Sequence, residues 1–214
     1  NVTIPHKTNV LSFADSITDR AALIGAANTL YFSKNGTIHA DNTDGYGFIQ
    51  NIIDVIPDFE FYDKTALIYG AGGSARAIAS ALISNGIKEV GITNRTRAKA
   101  QIISENLGAK AIVVDWRSAP EMITNADIII NATSMGMVGQ PVFSQPISRA
   151  KRTALVVDIV YNPMVTDLLK EAKSLKLKTV GGIGMLINQA VPAFEHWFQK
   201  TPVIDDEIRR FIIE

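Results

Sequence analysis

The hydrophobic pattern changes character along the chain. From about residue 64 to 182, short apolar runs alternate with helical periodicity. Ala66-Leu67-Ile68-Tyr69 is a continuous apolar run that stops at Gly70, which suits a strand buried on both faces. Ala75, Ile78, Ala79, Leu82 and Ile83 then fall on one helical face, and Asn85-Gly86 supplies a stop. Glu89 to Thr93 reads as the next strand and Arg97 to Leu107 as a helix ending at Gly108. Residues 110–114, 127–131 and 155–159 read as further strands, and the Gly- and Pro-containing stretch 136–146 as loop. Thr166 is placed to cap a helix that carries Leu168, Leu169, Ala172 and Leu175 inward. Residues 178–180 make a last short strand. Such alternation predicts a parallel sheet covered on both faces.

The flanks differ. Residues 1–43 read as short strand-like pieces with a hairpin-like turn at Asn35-Gly36. A helix is expected from Asp44, burying Phe48, Ile49, Ile52 and Ile53. After residue 184 the pattern is helical, with Leu186, Ile187, Ala190, Val191, Phe194, Trp197 and Phe198 in one stripe. Pro192 lies inside that stripe and predicts a kink. A final short helix is expected from Asp205 to about Ile213.

Composition narrows the function classes. With 214 residues and 47% of them hydrophobic, the chain can build one large domain or two small ones. Its 21 basic residues balance 21 acidic ones, so no overall field draws in nucleic acid or an anionic membrane. The absence of cysteine excludes disulfides, thiolate metal sites and a cysteine nucleophile. His6, His39 and His196 lack the spacing of a metal or nucleophile site and read as structural or solvent-facing; no metal is expected. No apolar run approaches the roughly 20 residues that span a bilayer. The chain opens Asn-Val-Thr-Ile-Pro, with neither an initiator Met nor a signal-peptide pattern, and reads as starting inside a folded region.

The first chemical signal is the turn Gly70-Ala71-Gly72-Gly73-Ser74-Ala75. It leaves a strand and opens a helix, the context in which G-x-G-x-x-A binds a dinucleotide. The first Gly permits the turn, the second lets backbone approach the pyrophosphate, and Ala75 permits close helix–strand packing. Free N–H groups at the helix start favour the anion. At the end of the next strand an NAD site usually presents a carboxylate. Here the residues are Asn94-Arg95-Thr96, followed by Arg97 and Lys99. A guanidinium and a hydroxyl suit a 2′-phosphate, and cations at a helix start oppose its dipole, which points to a functional reason for them. Both features favour NADP.

Four flanking segments are dense in polar groups: NVTIPHK at 1–7, GAANT at 25–29, DNTDG at 41–45 and GIGMLINQA at 182–190. Together with GAGGSARA, NRT, NATSMGM and Tyr161-Asn162-Pro163 they resemble the shikimate dehydrogenase family, nearly end to end and in order. The resemblance implies two α/β domains with the active site in the cleft between them. Residues 44–182 are the expected Rossmann-type NADP domain, and residues 1–43 and 183–214 the smaller substrate domain. It implies NADP-linked interconversion of 3-dehydroshikimate and shikimate in aromatic amino acid biosynthesis. Lys7 matches the catalytic lysine and Asp44 its partner carboxylate. Thr3, Asn28, Asp44, Tyr161 and Gln189 match substrate positions. Asn94, Arg95 and Thr96 match contacts to the 2′-phosphate, with Lys99 beside them. Thr133, Ser134 and Met135 match a loop near the cofactor, and Ile159, Gly182 and Met185 match positions lining the nicotinamide. The family also carries a strand and a serine-bearing loop before the first matched motif, so the chain is expected to be N-terminally incomplete. A cytoplasmic monomer or homodimer acting on small molecules, with no nucleic acid or membrane partner, is the implied setting. The alternatives are a quinate or dual-specificity enzyme of the same fold, using NADP or NAD, and a non-catalytic NADP- or ligand-binding relative.

Overall fold

The computed structural model describes residues 1–213. The chain begins with a short 3-10 turn, Asn9–Phe13, and then builds a small sheet from β1 (Ser16–Ile17), β2 (Thr29–Phe32) and β3 (Ile38–Asp41), with α1 (Asp19–Ile24) between β1 and β2. The order is β1-β3-β2. β2 and β3 form the expected hairpin at Asn35-Gly36, closed by the Ser33 amide on the Thr37 carbonyl at 3.0 Å. The 3-10 turn and α1 correct the expectation of strand pieces alone. Both are too short to show helical periodicity, although Thr18 caps α1 through its side chain.

α2 (Asp44–Val55) follows, with Phe48 and Ile52 fully buried and Ile49 and Ile53 packed beside them. Next come β4 (Thr65–Tyr69), α3 (Gly73–Ser84), β5 (Glu89–Thr93), α4 (Arg97–Leu107), β6 (Ala111–Val114), α5 (Ala119–Met122), β7 (Ile128–Asn131), β8 (Leu155–Asp158), α6 (Asp167–Ser174) and β9 (Lys178–Val180). The strands pair in parallel in the order β6-β5-β4-β7-β8-β9. The winding direction therefore reverses between β4 and β7, and in such sheets ligands bind in the crevice at that switch point. One core cluster packs α2, α3 and α4 on the sheet; the other joins α5, α6 and the loop around Phe143 and Ile147 to the opposite face. Tyr69 is wholly buried in the second, edge-on to Trp116 and Phe143, and burial pushes its phenol above the ordinary tyrosine range.

α7 (Ile183–Phe198) and α8 (Asp206–Ile213) complete the chain. α7 continues through Pro192 as one helix. Its buried face is not the expected stripe: Gly184, Met185, Ile187, Asn188 and Ala193 are inside, whereas Phe194, Trp197 and Phe198 are exposed. The last turn lies against the small sheet, where Trp197 Nε1 donates to the Leu30 carbonyl at 2.9 Å and Phe194 packs on Phe198. Leu175 is also exposed, because α6 ends at Ser174 and Leu175 is its C-cap. α5 has four residues and escaped periodicity for the same reason as α1. Among the described residues, no helix is long and apolar enough to cross a membrane.

α2 touches both sides of the molecule at very short range. A Cβ on Gly45 would lie 2.9 Å from Ala81 Cβ on α3, and one on Gly47 would lie 2.7 Å from the Gln189 amide nitrogen on α7. Asn51 Nδ2 donates to the Gly181 carbonyl at 2.8 Å, fixing the entry to α7. α2 is thereby wedged between α3 and α7, its far end against the entry to α7 and Asp44 at its start facing Ser74 in the first turn of α3.

Candidate active site

The DNTDG run enters α2 from the end of β3, and all five residues are buried. Asp41 is fully buried and anchors the run. It accepts from Arg20 through both carboxylate oxygens, from Thr18 Oγ1 at 2.7 Å and from the Asn42 amide at 2.7 Å, and its Oδ2 lies 3.0 Å from His196 Nε2. Burial works to raise the Asp41 carboxyl, but the Arg20 guanidinium and the other donors hold it well below the usual carboxylate range. Asn42 in turn donates to the Ala26 carbonyl and accepts from the Asp44 amide. Asp44 is therefore the first residue of α2, preceded by Thr43 as N-cap, and its side chain is free to work elsewhere.

That side chain meets Lys7. The ammonium donates to Asp44 Oδ2 at 2.5 Å, and both side chains are largely withdrawn from solvent. Asn28 Nδ2 lies within hydrogen-bonding distance of three acceptors: Thr43 Oγ1 at 2.8 Å, Gln189 Oε1 at 2.9 Å and Asp44 Oδ1 at 3.0 Å. Asn28 Oδ1 accepts from the Thr43 amide at 2.8 Å. An amide NH2 has two protons, so one acceptor is left over for a hydroxyl of a bound molecule.

The dinucleotide-type turn lies alongside. Gly70 has φ +116°, and a Cβ there would stand 2.7 Å from the Ala132 carbonyl, so the turn crosses the loop after β7 only as glycine. A Cβ on Gly72 would meet nothing within 4 Å, leaving backbone open to a ligand. α3 has no side-chain cap at its start, so its first amides remain available to an anion. Ala71 and Ala75 are buried. At the end of β5, Asn94 Nδ2 shapes the turn by donating to the Thr96 carbonyl at 2.9 Å. Arg97 lies 4.0 Å from Asp115. Arg95 and Lys99 are exposed and make no ion pair among the described residues. These groups fit a phosphorylated dinucleotide.

On the other side of the switch point, Asn131 Oδ1 accepts from the Thr133 amide at 3.1 Å and from Thr133 Oγ1 at 2.6 Å, and Thr133 Oγ1 accepts from the Met135 amide at 3.0 Å. Asn131 Nδ2 donates to Asp158 Oδ1 at 3.0 Å, and Asp158 also accepts from the Val160 amide and from Thr166 Oγ1. Burial pushes the Asp158 carboxyl up, against the pull of these donors. The loops after β7 and β8 are thus locked together. A Cβ on Gly182 would collide with the Ile159 carbonyl, so the start of α7 presses on the same edge.

Three family models match in sequence order. "Shikimate dehydrogenase substrate binding domain" matches residues 1–30, "Shikimate / quinate 5-dehydrogenase" residues 54–184, and "Shikimate 5'-dehydrogenase C-terminal domain" residues 182–205. The chain belongs to the shikimate dehydrogenase family. The shikimate dehydrogenase (NADP(+)) of Paracoccus denitrificans is 50% identical over 213 residues, which is 100% of this chain and 76% of that protein. Among solved structures, quinate dehydrogenase from Corynebacterium glutamicum in complex with NAD superposes with a TM-score of 0.89 at 32% identity, covering 98% of this chain and 75% of the other. Shikimate 5-dehydrogenase from Thermus thermophilus, in complex with NADP(H) and shikimate, gives 0.85 at 31% identity, covering 100% and 77%. The α/β fold expected of the family, a parallel Rossmann-type sheet covered by helices on both faces beside a second, smaller sheet, is the one observed.

Within this family member, Lys7, Asn28, Asp44 and Gln189 converge from segments far apart in sequence. Thr3 and Tyr161 do not join them: both are exposed, and their side chains make no hydrogen bond among the described residues. Ser134 is exposed, whereas Met135 and Met185 send their side chains into the two cores. Ile159 is half-buried against the first core. Asn51 escaped the sequence reading, and Asp41 and Thr43 entered it only as members of the DNTDG segment, although all three position the cluster. Their positioning roles rest on burial, which the structure shows and polarity alone does not: once buried, such polar groups need partners.

Proposed function

We propose that this chain is an NADP-dependent dehydrogenase interconverting 3-dehydroshikimate and shikimate, a step of aromatic amino acid biosynthesis. The observation that carries the reading is the Lys7–Asp44 pair at 2.5 Å, withdrawn from solvent and set beside the glycine turn at Gly73. Oxidising a secondary alcohol releases a hydride and a proton. NADP, when bound, supplies the hydride acceptor. Lys7 handles the proton, accepting it from the alcohol or returning it to the carbonyl oxygen, and Asp44 orients the amine through their hydrogen bond. Asn28 and Gln189 orient the ring hydroxyls, using the acceptor that the Asn28 amide leaves over. The backbone amides from Gly70 to Ala75 hold the pyrophosphate, and Arg95, Lys99, Asn94 and Thr96 the 2′-phosphate. In this reading residues 44–182 form the NADP domain and residues 1–43 and 183–214 the substrate domain, and the cleft closes on binding to exclude water.

The absence of a carboxylate at the end of β5 separates this reading from an NAD-linked quinate enzyme, to which the Corynebacterium likeness also points. The test is nicotinamide absorbance on mixing protein with shikimate or quinate and either cofactor. Turnover of shikimate with NADP is expected, with kcat/KM for NADP about tenfold or more above NAD, the worth of a charge-assisted contact. Turnover with quinate and NAD alone would replace the reading. Turnover with no pair would end the enzymatic one.

A further inference from the structure

Ser74 is the second residue of α3, on the turn read as holding the pyrophosphate. At such a position a serine hydroxyl commonly serves its own helix or an anion. Here it faces the ion pair. Its Oγ lies 3.4 Å from Lys7 Nζ and 3.5 Å from Asp44 Oδ2. Gly73, one residue earlier, lies under the stem of the same lysine: a Cβ there would be 2.9 Å from Lys7 Cβ and 3.3 Å from Lys7 Cδ. Lys7 is thus laid along the turn, from stem to head.

An ammonium carries three N–H donors. Asp44 takes one at short range. With that single anchor the stem torsions can still swing the head about the Nζ···Oδ2 contact. A second acceptor narrows that swing and aims the third N–H in one direction. We propose that Ser74 is a positioning residue for proton transfer: the turn that carries the cofactor also aims the Lys7 ammonium at the substrate oxygen. The inference rests on Lys7 being the proton-transfer group. Both contacts are longer than the usual 2.7–3.2 Å, so the hydroxyl directs the lysine and does not hold it in place.

The test is a cycle of Ser74→Ala, Lys7→Met and the double variant, assayed for shikimate oxidation at saturating NADP, with NADP affinity measured by fluorescence. For Ser74→Ala, kcat is expected to fall about 3- to 10-fold, the scale of one ordinary hydrogen bond, while KM for shikimate and the NADP affinity stay within about twofold. In the Lys7→Met background the same substitution is expected to cost nothing further, because its effect passes through the lysine. An unchanged kcat in Ser74→Ala, or a loss carried by NADP affinity, would overturn the inference and leave the role of Lys7 standing. Parent-like turnover by Lys7→Met would instead remove the premise.

Discussion

At the end of β4 the groups offered to a ligand are backbone amides, whereas around Asp44 they are side chains. The first site needs six consecutive residues and no charge; its field comes from the start of α3. The second gathers Lys7, Asn28, Asp44 and Gln189, with Asn28 and Gln189 161 positions apart. A backbone site depends on where the chain is crowded and where it is open. A side-chain site depends on each group, because each is partly satisfied by the others. α2 joins the two, with Gly45 against α3 and Gly47 against α7.

The sharpest way to break the comparison is Asp44→Asn. The shape is kept, but the anion facing Lys7 is removed, and shikimate turnover is expected to fall about 10²- to 10⁴-fold with the melting curve little changed. A loss of folding instead of turnover would make the side-chain site structural. Next comes a pair on the turn itself. Gly70→Ala adds a Cβ against the Ala132 carbonyl at positive φ and is expected to cost about 2–5 kcal/mol in denaturant unfolding. Gly72→Ala has open space and ordinary φ. It is expected to shift stability by no more than about 0.5 kcal/mol while weakening NADP binding. Equal destabilisation by both would contradict the division between crowded and open backbone. Arg95→Ala is expected to weaken NADP about 10- to 100-fold, as loss of a charge-assisted contact does, and to leave NAD within about twofold.

A modest effect is expected of Arg20→Ala. Arg20 is half exposed, so losing its pair with Asp41 is set at about 1–2 kcal/mol, below the cost of breaking a fully buried pair. The pH dependence sharpens this. Asp41 is depressed when folded, so its stabilisation is present above the unfolded carboxyl value of about 3.9 and is lost as pH falls below it. Arg20→Ala should flatten that acid limb, read from Tm between pH 5 and 2. A limb as steep as the parent's would place the acid sensitivity elsewhere.

The same contrast explains what was legible in the sequence. The turn at Gly70 and its strand–helix neighbours are local, so pattern alone placed β4, α3 and β5 nearly to the residue. The polar cluster is not local, and its members became readable only through the family resemblance of their segments. Asp44 was legible locally only as the start of a helix; the structure makes it the first residue of α2 and turns its carboxylate to Lys7. α1 and α5 were missed because six and four residues cannot display a helical period. Phe194, Trp197 and Phe198 obey that period and are nevertheless exposed, since periodicity marks an apolar face without saying how far the sheet beneath it extends.

The joint action of the two sites is tested most directly by Lys7→Met, measured for both shikimate turnover and NADP affinity. The expected result is a loss of turnover of about 10²-fold or more with NADP affinity within about twofold of the parent. Turnover near the parent's would contradict the assignment of proton transfer to Lys7.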